Sequence, residues 1–482
     1  MPGRRISLLT VKRTATAAVV LAVLAGASIL LWDWHTERSS RCADGVVRMG
    51  PTDECVGVTD GTYVFRKHLQ RVTERIKEEN DRLVKGGEPY VSVAYLTSFT
   101  LGEADSNSAE SVRHELQGAY LAQQRSNRGD LKGVPRIRLL IANSGSESRH
   151  WEHTVDELVA RKETERLVAV VGLGPSTTPN LTALKRLSKE GLATVASTMT
   201  ATNIRDIEGF ARVVPTNRDE ARAAAAYLRR KKVGTAVVVR DVARENLYAR
   251  TLSRDFTEEF PRGDGHRMVT EPRTFDSSKA VWETELTFIA QQLCQYRSEV
   301  VYFAGRGKHL THFIQRLSNR PCTDWTFTVM TGDDTTNLTR RELDEAAKRG
   351  IRVLYTGLAH PDMWTDRPDR VSRPSILAFQ EGGSMDEWFP SDRHEDGQAM
   401  TAHDAVLTAA TGAQMADGGE AEVTGETVGA MFRQMHGEQR VPGASGFLSF
   451  RNDGNPVEKA VPILELKPDG NPVFVEAIFP EG

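Results

Sequence analysis

From Tyr90 to Gly357 the chain alternates short apolar runs with stretches of helical period, and that alternation leaves few architectures open. YVSVAYL (90–96), RIRLLIAN (136–143), RLVAVVG (166–172) and LATVAS (192–197) read as strands, with helices between them at 108–127, 150–162 and 177–191. A second round starts near Pro215. It holds helices at 218–232, 245–260, 283–296 and 308–319, and strands at 235–241, 299–305, 325–334 and 351–357. Strands separated by helices of this length form parallel sheets covered on both faces. Two such rounds predict an α/β chain of two doubly wound lobes. The tail departs from this pattern. FLSF, RNDGNP and KAVPILELKPDGNPVFVEA place DGNP turns between alternating strands, the signature of antiparallel hairpins. Residues 361–397, polar and rich in Pro, read as a long surface excursion.

Ahead of the alternation, Arg4, Arg5, Lys12 and Arg13 precede an uncharged apolar run at 14–32. As a helix it is just long enough to cross a hydrocarbon core about 30 Å thick. The basic flank orients it with the N-terminus inside. Ala25-Gly26-Ala27 also fits the cleavage pattern of a signal peptide, although Ile29 to Trp32 carry the apolar run past that point. Both readings export the rest of the chain, and the expectation is a single-pass anchor with the main domain outside the cytoplasm. Tyr63 to Lys85 reads as one amphipathic helix, with Phe65, Leu69, Val72, Ile76 and Leu83 on a single face and Gly86-Gly87 as its stop.

An oxidising compartment permits disulfides. Cys42 and Cys55 flank a short segment rich in Gly, Pro and Asp, and Cys294 and Cys322 lie close together in the second round. Both are predicted pairs, with free buried thiols as the alternative. No C-x-x-C occurs and no Cys pair lies near a His pair with zinc spacing, so no metal is predicted.

Lys+Arg total 62 and Asp+Glu 65, a net charge of −3, which argues against a bulk nucleic-acid binder. GLGPST (172–177) follows a strand and opens a helix, but it lacks the third Gly of a dinucleotide fingerprint. Its Ser176 and Thr177 still offer donors to an anion at a helix N-terminus, or serve as a plain cap. GRGK (305–308) is not a Walker loop, and GASG (443–446) is not a nucleophile elbow. The pairs His150/His153 and His309/His312 lack a third ligand and read as surface or interface histidines. Asp333-Asp334 read as turn residues. No Ser/His/Asp set emerges, so neither an enzyme nor a cofactor is predicted.

The order of pieces resembles the type I periplasmic binding proteins of the leucine/isoleucine/valine-binding group, the substrate receptors of ABC transporters. The resemblance runs over roughly 390 residues (a span read from Tyr90 to the end) and rests on YVSVAYLTSF, VVGLGPST, TVASTMTAT, FARVVPTNRDEARAAAAYL, VGTAVVVRD with NLY, VVYFAG, VMTGDD, YTGLAHP, AHDAV and, most specifically, GFLSFRNDGNP. It implies two lobes with a ligand cleft between them and chain crossings near Pro215, Gly357 and Gly443. Joined to the reading of the N-terminus, it divides the chain into a cytoplasmic 1–13, a transmembrane 14–32, a Cys-looped collar with its helix at 33–88, lobe one at 89–216 plus 357–443, and lobe two at 217–356 plus 444–482. Ser176, Thr177, Thr198 and Thr200 are the implied holders of a ligand carboxylate, with helix capping as the alternative role. Tyr248 is the implied aromatic over the ligand, with interlobe core packing as its alternative. Asp333 or Asp334 would hold the ammonium. The implied function is capture of an amino acid or related solute for an ABC permease, or ligand sensing by the same fold without transport. His403 stands where the family carries Tyr, and the anchor and collar are additions to its pattern.

Overall fold

The computed structural model describes residues 41–479 apart from 132, 336–337, 366 and 418–421. The apolar run at 14–32 and its basic flank lie outside the described residues. Among the described residues no helix is long and apolar enough to cross a membrane.

Lobe one is an eight-stranded sheet of β1 (Arg41–Ala43), β2 (Val46–Met49), β3 (Glu54–Thr59), β4 (Tyr90–Thr97), β5 (Arg136–Asn143), β6 (Leu167–Gly172), β7 (Ala193–Ala196) and β8 (Phe210–Arg212), in the order β1-β2-β3-β5-β4-β6-β7-β8. From β5 to β8 the pairing is parallel, as the continuous apolar runs require. β8 is three residues within FARVVP, too short to announce itself by pattern. On one face the helix Ala109–Asn127 lies against the helix Gln398–Asp417 so closely that a Cβ on Gly118 would sit 1.9 Å from the Ala399 carbonyl oxygen. Only glycine permits that approach.

The collar is not a separate unit. β1 to β3 run antiparallel and extend the lobe-one sheet beside β5, with Val58 opposite Ala142. Both predicted disulfides form, Cys42–Cys55 with Cα atoms 6.1 Å apart and Cys294–Cys322 at 5.7 Å. The amphipathic helix starts later than its periodicity suggests. A 3-10 turn at Lys67–Leu69 leads into Gln70–Gly86, which stops at a left-handed Gly87.

Residues 361–397 are not a surface excursion. Met363, Trp364, Val371, Ile376, Phe379, Met385 and Phe389 are all buried in the lobe-one core. Short helical turns separated by Pro and Gly carry these side chains inward one or two at a time, so no period reveals them.

Lobe two holds β9 (Thr235–Asp241), β10 (Arg267–Met268), β11 (Arg273–Phe275), β12 (Val300–Ala304), β13 (Phe327–Thr331) and β14 (Ile351–Thr356). The ribbon β15 (Val441–Gly443) and β16 (Gly446–Leu448) packs on lobe one, and β17 (Val461–Leu466) and β18 (Pro472–Ile478) close the second sheet antiparallel. Leu448, Phe450 and Ala460 belong to the lobe-one core and Val461 to that of lobe two, so the third crossing lies later than Gly443. Of the two DGNP turns, only the one at 469–472 joins neighbouring strands of a sheet. His403, fully buried, binds Arg125 at 2.9 Å and Asp404 at 2.9 Å, and Asp404 accepts the Ala444 and Ser445 amides. The Tyr-to-His departure is thus a structural brace for the 443–446 turn.

Candidate ligand site in the interlobe cleft

The carboxyl ends of the parallel strands of both lobes meet at one seam, where open α/β sheets bind ligands. Loops after β4, β5 and β6 face loops after β9, β11 and β12 across a cavity of ≈ 330 Å³. Its polar lining includes Ser98, Ser148 and Thr177 from lobe one and Asn246, Ser277 and Lys308 from lobe two. Arg149 and Arg306 add positive charge, and Asp105, Glu147 and Glu245 negative charge.

Each wall is organised by a carboxylate that does not stand out in the sequence. In lobe one Asp105 accepts from Ser146 Oγ at 2.6 Å, the Gly102 amide at 2.8 Å and the Glu147 amide at 2.8 Å. Burial nevertheless pushes its pKa up, against those hydrogen bonds. Glu54, on collar strand β3, accepts from the Ser146 amide and from Thr100 Oγ1. Asn143 at the end of β5 accepts the Phe99 and Gly145 amides and donates to the Cys55 carbonyl. The collar therefore props two cleft loops. Glu147 and Ser148 hold positive φ of 52° and 56°, a conformation costly for non-glycine residues that tends to mark binding sites. In lobe two Asp241 accepts from the Ala243 and Ser277 amides, Asn246 Nδ2 and Ser277 Oγ, locking the β9 and β11 loops together.

The lobes touch through backbone and side-chain hydrogen bonds of their own. Thr177 and Asn246 form an antiparallel bridge, the Thr178 amide donates to the Glu245 carbonyl at 3.2 Å, and Lys308 Nζ donates to the Ala104 carbonyl at 2.6 Å.

Of the residues singled out from the sequence, Thr177 reaches the cavity. It also caps the helix Thr178–Lys189 by accepting from the Asn180 amide. The others lie deeper and bond to one another or to backbone. Ser176 Oγ accepts the Ala201 amide. Thr198 donates to the Gly174 carbonyl at 3.0 Å, and Thr200 to Asp333 at 3.4 Å. Tyr248 is buried, and its Oη accepts the Asp334 amide. A Cβ on Gly332 would fall 2.3 Å from that oxygen, so the Gly-Asp-Asp turn needs its glycine.

Arg306 completes this inner cluster. Its guanidinium lies 4.8 Å from the Tyr248 ring centroid, donates to the Ser176 carbonyl at 2.8 Å and pairs with Asp334 at 3.4 Å. Asp333 instead stands beside the buried Glu220 of the crossover helix Asn217–Arg230, which accepts from Thr356 Oγ1 at 2.7 Å. Burial, with the neighbouring Asp334 charge, pushes the Asp333 pKa up to about 7. Burial, with Asp333, pushes Glu220 well above the usual carboxylate range. The acids expected to hold an ammonium thus already have partners within the protein. Sequence reasoning passed over Arg306, because GRGK was weighed only as a phosphate loop.

Of the histidine pairs, His309 is buried against Trp282 and Phe275, and burial pushes its pKa down to about 3. His312 accepts from Arg316.

No protein-family model and no curated protein matches the chain. Solved structures do match in fold. The leucine-binding protein of Thermotoga maritima superposes with a TM-score of 0.61 at 16% identity, covering 81% of this chain and 99% of that one. The branched-chain amino-acid substrate-binding protein of Streptococcus pneumoniae, in complex with isoleucine, gives 0.60 at 14% identity, covering 81% and 100%. A solute-binding protein of R. palustris in complex with benzoate gives 0.59 at 17% identity, covering 81% and 97%. The fold is that of the type I periplasmic binding proteins.

Proposed function

We propose that this two-lobed fold serves as an extracytoplasmic solute-binding protein, enclosing an amino acid or related small carboxylate between its lobes. The observation that carries the reading is the ≈ 330 Å³ cavity at the strand ends, lined by hydroxyls and by charges of both signs. Arg149, Lys308 and the hydroxyls of Ser98, Ser148 and Thr177 suit a carboxylate, and Asp105, Glu147 and Glu245 suit an ammonium. Neighbours in fold named for leucine, isoleucine and benzoate support the same ligand class. In this reading residues 14–32 hold the protein on the membrane with the lobes outside, where an ABC permease is the partner. No catalytic step is assigned.

A second reading, a sensing ectodomain without transport, is favoured by the Thr177–Asn246 bridge and the Arg306–Ser176 bond, which join the lobes through the chain's own atoms. The test is a thermal-shift screen of the full chain against amino acids and aromatic carboxylates, followed by calorimetry. A saturable shift that Ser148→Ala and Lys308→Ala both weaken supports the cavity. No shift with any member of either class overturns the solute-binding reading. Permease and ATPase genes beside this one favour transport over sensing. Release of the protein by alkaline carbonate overturns the anchor.

A further inference from the structure

A second, smaller cavity of ≈ 210 Å³ lies elsewhere along the lobe seam, between Glu110, His114 and Asp396 of lobe one and Thr335, Tyr355 and Pro472 of lobe two. Behind it stands a cluster that the ligand site does not use. His114 projects from the helix Ala109–Asn127, and Asp392 and His394 come from the buried 361–397 segment. One ligand atom from each of the three lies within 4.8 Å of the others.

We propose that His114, Asp392 and His394 form a binding site for a divalent cation of the zinc class.

Hydrogen bonds fix both imidazoles in a metal-ready form. His114 Nδ1 lies 2.8 Å from Asp396 Oδ2, an acceptor, so Nδ1 carries the proton and Nε2 carries the lone pair. That Nε2 is buried without a hydrogen-bond partner, in a side chain only 2% exposed. His394 Nε2 lies 2.8 Å from Gln117 Oε1, also an acceptor, which leaves Nδ1 with the second lone pair. Gln117 turns its amide to Asp392 Oδ2 at 2.6 Å, and Arg113 binds the same carboxylate at 3.3 and 3.1 Å.

A carboxylate behind one ligating His and an amide behind the other is the supporting arrangement that orients metal ligands. Asp392, Asp396, Glu110 and Glu395 against Arg113 and Arg393 leave surplus negative charge for a dication to neutralise. Glu110 Oε1, 3.9 Å from His114 Nε2 on an exposed side chain, is within reach as a fourth ligand. Two imidazoles and one carboxylate with an open position are a zinc donor set. Ligation at about 2.0–2.2 Å asks for side-chain movements on the order of 1 Å. The cavity supplies the access route. Sequence reading missed the site because it sought ligand pairs on single helices, whereas this one joins His114 to an Asp-x-His about 280 residues further on, a span read from their numbers.

The test is calorimetric titration of the chelator-treated full chain with Zn²⁺ alone, and with Co²⁺ followed by its visible absorption. One tight equivalent is expected. His114→Gln and His394→Gln should each weaken it at least tenfold and abolish the Co²⁺ band, and Asp396→Asn should weaken it about 10–100-fold. Melting in chelator reports whether each variant folds. Should one fail, X-ray absorption of the zinc-loaded wild type decides: imidazole plus carboxylate ligation supports the site, and an all-oxygen shell overturns it. No tight equivalent, or an affinity unchanged in the doubly substituted chain, also overturns it.

Discussion

The inner and outer parts of the interlobe cleft share the loops at 176–177, 246–248 and 306–308, yet only the outer part leaves its polar groups facing open space. In the inner part Ser176, Thr200, Tyr248, Asp333 and Asp334 face one another and Arg306. In the outer part Ser148, Thr177, Ser277 and Lys308 line open space. Ser176 and Thr177 are consecutive, and one step along the chain separates a side chain turned inward from one that, while capping its own helix, also faces the cavity. A resemblance in sequence transfers the loop that reaches the cleft, but the side chains that already have a partner there are visible only in three dimensions.

The largest break in this contrast should come from Arg306→Met. It removes the cation that joins both lobes and leaves the buried Asp334 carboxylate without its charge partner. A loss of about 3–5 kcal/mol is expected by chemical denaturation, and Asp334→Asn in the same background should restore part of it.

The inner cluster should also make stability depend on pH. The folded pKa values of Asp333 and Glu220 both lie above their unfolded values, near 4. The native state therefore holds more protons than the unfolded chain between about pH 4 and 7. The stabilisation is complete below that window and is lost as pH rises through it. The melting temperature should fall from pH 5 to pH 8, and Glu220→Gln should flatten the slope. A melting temperature that rises across the same range would contradict the protonated pair.

The outer part is sharpened by binding. Once a ligand is found, Ser148→Ala should lower its affinity about tenfold, worth ~1.4 kcal/mol, beside a stability loss of about 1 kcal/mol from the hydrogen bonds to Ser98 and Ser144. The smallest effect is expected from Thr198→Ala. It removes the bond to Gly174 and about 1 kcal/mol of stability, while calorimetry shows ligand affinity intact. A large affinity loss in Thr198→Ala would place the ligand in the inner part instead.

The strands and helices of both rounds were legible because burial on both sheet faces writes long apolar runs. The helix Gln398–Asp417 was legible only at its AHDAV, since an Ala-rich helix buried nearly all round carries no amphipathic period. β8, β10 and β11 were missed for shortness. The collar strands gave no sign of their sheet, because register with β5 is a long-range property. At the site, helix starts and strand ends located the cleft loops, and Thr177 among them. The roles of Arg306, Glu220, Asp105 and Asp241 depend on which neighbour the fold delivers.

The collar's place in the sheet also sets a path for mechanical load. The chain enters at Arg41 on edge strand β1, which is joined through β2 to β3 and through β3 to β5, with Cys42–Cys55 clamping the first strand to the third. Any pull from residues ahead of Arg41 is therefore taken by lobe one, through the very strands whose Glu54 and Cys55 steady the cleft loops. Lobe two sits off that path, hung on the three crossings. With lobe one held along that path, a tug at the N-terminus is felt first at the rim of the interlobe cavity.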